Sequence, residues 1–83
     1  MEANVILRNQ IFEIIKNQIE NNDPPETKLT YSRLRAMGYD ELETMEMIGQ
    51  CLAIEFFDIV KHQKPMNIHR FVQNLQLLPK SPI

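Results

Sequence analysis

Tryptophan is absent from these 83 residues, cysteine occurs once and glycine only twice. A lone Cys51 excludes an intrachain disulfide, and two histidines beside it cannot build a structural zinc cluster. Two glycines are too few for a phosphate-cradling loop, which needs backbone free to approach its ligand. No stretch approaches the ~20 apolar residues of a membrane span. The start, Met1-Glu2-Ala3-Asn4, lacks the basic segment of a secretory signal, and Arg8 interrupts the apolar run behind it. A reduced, cytoplasmic, soluble protein with no cofactor is the expectation. Positive charge is not in excess either: nine Lys and Arg stand against eleven Asp and Glu. That balance argues against a nucleic-acid binder.

What the chain does have is punctuation. Asn22-Asp23-Pro24-Pro25, Gly38-Tyr39-Asp40 and Lys64-Pro65-Met66-Asn67 divide it into four stretches whose apolar residues recur at helical spacing. The fold class predicted is all-α, a compact four-helix domain, with helices over residues 4–22, 24–37, 41–63 and 68–78 and the third helix central. Residues 1–79 form the single domain, and residues 80–83 a flexible tail after Pro79.

In the first helix Val5, Ile11, Phe12, Ile15 and Ile19 share a stripe, with Leu7 and Ile14 at its edge and Ile6 outside it. Asp23 is expected to cap the second helix, whose first turn tolerates proline, and Gly38 to end it. Leu29, Tyr31, Leu34 and Met37 are its modest apolar content, enough to cover one edge of the core. Asp40 with Glu43 forms a capping-box pattern opening the third helix. Its main stripe is Leu42, Met45, Ile48, Leu52, Phe56, Ile59 and Val60, leaving Met47, Ile54 and Phe57 outside, and Gly49 suggests a close helix crossing. In the last helix, capped by Asn67, the residues Ile68, Phe71, Val72, Leu75 and Leu78 follow the i, i+3, i+4, i+7 rule.

Chemistry-bearing residues are few. Cys51, Glu55, Asp58 and His62 fall on one sector of the third helix, and Glu55, Asp58 and His62 are the weak candidates for a metal. Residues on one helix spread over several turns and cannot surround an ion, so a polar flank with an Asp58–His62 pair is the favoured reading. Acids near Cys51 oppose its activation as a nucleophile. No enzyme is expected.

Charge is distributed unevenly. Every Asp and Glu lies at or before Asp58, while Lys61, Lys64, Arg70 and Lys80 follow with no acid among them. Acids opening the third helix and cations closing it suit the helix dipole, and the basic final quarter supplies an alternative function in nucleic-acid or regulatory binding. A superficial helix-turn-helix around Gly38 argues against DNA, because Glu41, Glu43 and Glu46 would meet phosphates. Met37-Gly38-Tyr39 looks like the loop of a ubiquitin-associated domain, but the long helix that follows limits the match to the loop.

A broader resemblance covers residues 9–79. Asn17-Gln18, Asp23-Pro24-Pro25-Glu26, Arg33-Leu34, Gly38, Ile48-Gly49, Glu55 and Leu78-Pro79, in that order and spacing, resemble a set of small bacterial all-helical proteins of unknown function. The resemblance implies a bacterial setting and a helical fold, and no activity. Some relatives carry histidines four apart on the first helix, where this chain has Arg8 and Phe12. Glu55 is expected to sit partly buried and to pair with Arg33 or Arg35.

The function expected is a non-catalytic protein-interaction or self-association module. A chain this short buries only about 60% of its unfolded surface, and Ile6, Met47, Ile54 and Phe57 are apolar residues in excess of what four helices need. These four are the interface candidates. A homo-oligomer, with a dimer favoured, is the expected partner arrangement.

Overall fold

The computed structural model describes residues 3–80, and side chains from Leu7 onward. Among the described residues four helices follow in order, α1 (Ala3–Asn21), α2 (Pro25–Ala36), α3 (Glu41–His62) and α4 (Ile68–Leu77). The expected all-α, four-helix domain is the fold observed, with no helix boundary off by more than one residue. Among the described residues, no helix is long and apolar enough to cross a membrane.

Local chemistry sets the ends of these helices. Pro24 is the N-cap of α2 and Pro25 its first residue, so the expected cap at Asp23 lies one position early. The Asp23 N–H instead donates to the Gln18 carbonyl, closing the end of α1. After Met37 the Tyr39 N–H donates to the Leu34 carbonyl and the Gly38 N–H to that of Arg35, a closure that needs the positive φ of Gly38, 104°. The expected capping box forms in full, with the Glu43 N–H donating to Asp40 Oδ1 at 2.7 Å and the Asp40 N–H to Glu43 Oε1 at 2.9 Å. At α4 the Asn67 side chain accepts from the Arg70 N–H at 3.1 Å.

Central α3 packs against all three other helices, and so does α2, while among the described residues α1 and α4 do not meet. The structure thus corrects α2 from an edge element to a second centre. Leu29 and Met37 are exposed, and the buried side of α2 is Thr27, Thr30 and Leu34. Threonine is small enough to let neighbouring helices close in, and Thr27 meets its polar need by donating its hydroxyl to Gln18 Oε1 at 2.9 Å. The core is completed by Ile11 and Ile15 of α1, Met45, Ile48, Cys51 and Leu52 of α3, and Phe71, Leu75 and Leu78 at α4.

Helix α3 is continuous through Gly49, which is buried beneath α1. A Cβ there would stand 3.3 Å from Ile11 Cγ2, so glycine sets how near the two helices come. The buried sector of α3 also runs through Thr44, Cys51 and Glu55, and α2 and α4 both pack on this helix. Leu42 and Val60, placed by their spacing on the core stripe, are exposed, as is Ile68 of α4. Leu78 is buried just beyond α4, where Arg33 donates to its carbonyl at 2.7 Å and to that of Leu75 at 3.0 Å. The Lys80 N–H donates to the Leu77 carbonyl, and the rest of the expected tail, residues 81–83, lies outside the described residues.

Candidate functional site

Two features stand out, a polar clasp between α3 and α4 and an apolar groove between α1 and α3. The clasp centres on Glu55, whose side chain is wholly buried. Arg70 donates from Nε to Glu55 Oε2 at 2.7 Å and from Nη2 to Oε1 at 3.0 Å, and the Asn67 N–H donates to Oε1 at 3.0 Å. A carboxylate taken from water is tolerable only with such compensation. The partner expected from sequence, Arg33 or Arg35, is therefore corrected to Arg70. Arg33 closes the end of α4, and Arg35 donates to the Tyr31 hydroxyl at 3.3 Å.

Asp58 lies 3.3 Å from Arg70 Nη2, and His62 lies 3.7 Å from Asp58 one turn further on. The hydrogen bond to Glu55, assisted by the charge of Asp58, holds the Arg70 guanidinium above its ordinary pKa against a smaller opposing effect of burial. The proposed metal candidates Glu55, Asp58 and His62 are thus split. Asp58 and His62 pair as their spacing suggests, but both oxygens of Glu55 point to Arg70 and Asn67. Among the described residues no three His, Cys, Asp or Glu side chains come together as a metal site. The clasp joins helices; Arg70 is correspondingly committed within the fold.

Cys51 is fully buried beside this cluster. Burial pushes its thiol up to about 12, with Glu55 adding to the rise and a backbone hydrogen bond opposing it. Such a thiol is a packing group, not a nucleophile.

The groove occupies the outer face of α3 near its C-terminal end. Leu7 of α1 and Ala53, Phe56, Phe57 and Val60 of α3 line a cavity of about 570 Å³ with almost no polar surface. Phe57 is 58% exposed and Val60 79% exposed, and Leu7 is exposed beside them. Lys61 arches over the Phe57 ring at 5.4 Å from its centroid. Three large apolar side chains, contiguous and unburied, differ from the scattered surface hydrophobes of ordinary proteins.

Of the interface candidates, Phe57 stands on this face. Ile54 is half-buried between it and the clasp, at the cleft it shares with Asp58 and Arg70. Met47 packs partly against the core, and the side chain of Ile6 lies outside those described. Sequence periodicity missed Leu7 and Val60 because both fit, or nearly fit, a core stripe. The available signal was the number of apolar positions around α3, more than one stripe can hold. Arg70 had no signal in the sequence, since fifteen residues separate it from Glu55.

Comparison of the chain with protein-family models, with curated proteins and with solved structures gave no match.

Proposed function

We propose that this chain is a non-catalytic self-association module, a homodimer joined through the α1/α3 groove, and that it works as a reduced cytoplasmic protein in a bacterium. The observation that carries the reading is the groove itself, with Leu7, Phe57 and Val60 exposed around an apolar cavity. A patch that contains both a projecting ring and an adjoining hollow is self-complementary, the requirement of a two-fold contact between identical chains. A chain of this size gains most from such a contact, since its own core is small. The bacterial setting is supported by the resemblance over residues 9–79, and the reduced compartment by the single buried thiol.

Phe57→Glu tests the proposal. The substitution places a carboxylate in the groove at an exposed position, so the helical circular-dichroism spectrum should persist while light scattering reports a fall from dimer to monomer. If the variant keeps the mass of the parent, the groove is not the contact.

A further inference from the structure

Charge along α3 adds an orientation to that contact. Glu43, Glu46, Gln50, Ala53, Phe57 and Lys61 lie within one sector of the helix at about 100° per residue, and all except the half-buried Ala53 are exposed. Along this sector the acids come first, the apolar patch follows and the cation comes last. A parallel pairing of two such faces would oppose Glu46 to Glu46 and Lys61 to Lys61. An antiparallel pairing opposes unlike charges.

Resting on the self-association reading, we infer that the second copy docks with its α3 antiparallel to the first, Phe57 seated against Ala53 of the partner subunit and Glu46 within about one helical turn of Lys61 of the partner subunit. A two-fold axis between Ala53 and Phe57, which are about 6 Å apart along the helix, produces this register. The large ring then meets the smallest side chain of the sector, twice by symmetry. The same axis brings Glu46 within one helical turn of Lys61 of the partner subunit, well inside the reach of both side chains. Glu46 already bonds Arg8 at 3.1 Å, with both side chains about half exposed, so an oxygen is left for a second cation. Lys61 is held over Phe57 by its own ring contact, which presents its ammonium at the edge of the patch.

The test is a charge exchange read by sedimentation or light scattering at low salt, with circular dichroism to verify each fold. Glu46→Lys alone and Lys61→Glu alone should each loosen the dimer by about tenfold, since two ion pairs become two repulsions. An equimolar mixture of the two variants should associate as the parent does, because each supplies the charge the other lacks, and the double variant should recover alone. Parent dimers with no recovery in the mixture would overturn the antiparallel register and leave self-association standing. A parent that is monomeric at every concentration would overturn the self-association reading and the register with it.

Discussion

The close crossing at Gly49 makes a quantitative claim that two substitutions can separate. Alanine in a helix interior is favoured over glycine by about 1 kcal/mol. At this position the new Cβ would stand 3.3 Å from Ile11 Cγ2 and 3.7 Å from Phe12 Cε1, so Ile11 must yield by a few tenths of an ångström. Overpacking of that kind costs about 1–3 kcal/mol, and the lower end applies to one atom. Gly49→Ala should thus lie within about 1 kcal/mol of the parent. Leucine has nearly the helix propensity of alanine, so the difference between Gly49→Leu and Gly49→Ala reports space alone. Its further carbons would enter volume held by Phe12 and by Ile15, the latter 3.9 Å from the Cβ position. We expect a net loss of about 2 kcal/mol for Gly49→Leu, taking the upper overpacking cost less the propensity gain. Urea unfolding reads both, with a lower midpoint at unchanged slope for leucine. If Gly49→Leu unfolds at the parent midpoint, α1 and α3 do not meet at Gly49 and the groove between them is misplaced.

Glu55→Ala should destabilise by about 2 kcal/mol in the same assay, below the ~3–5 kcal/mol of a broken buried pair, because the Arg70 side chain is 34% exposed and can turn to water. A change under half that size would mean the clasp contributes little to holding α4. Cys51 should resist an aromatic disulfide reagent at pH 8 while the chain is folded and react at once in denaturant, since it is buried and its pKa is raised from 9.0 to about 12. The raised value also sets a sign: the associated stability is intact below about 9 and declines as pH climbs from there towards 12. Cys51→Ala should remove that part of the alkaline loss, measured by thermal unfolding at pH 8 and 10.5; an identical loss in the variant would place it elsewhere.

Helix number, order and ends were legible because punctuation is local. Asp40 with Glu43, Asn67 and Gly38 each act within a few residues of themselves, and all three behave as their spacing predicts. Burial was legible where a helix has a single covered side, as for Ile11 and Ile15 of α1 or Phe71 and Leu75 of α4. It was not legible where a helix is central. On α2 the tight packing selects threonines over leucines, so the exposed Leu29 looked like core and the buried Thr27 and Thr30 did not. On α3 three neighbours cover a broad sector that takes in Glu55 and Cys51, while towards the C-terminal end of the helix Phe57 and Val60 stay exposed beside Leu7 of α1. The Glu55–Arg70 clasp depends on where α4 docks, which no spacing along the chain encodes.

The most direct test is the solution mass of the intact chain by light scattering across a dilution series. Self-association predicts a mass near twice the 9.8 kDa of one chain, falling towards a single chain only on strong dilution. A mass of one chain at every concentration would contradict it and leave the Leu7–Phe57–Val60 face without the partner assigned to it.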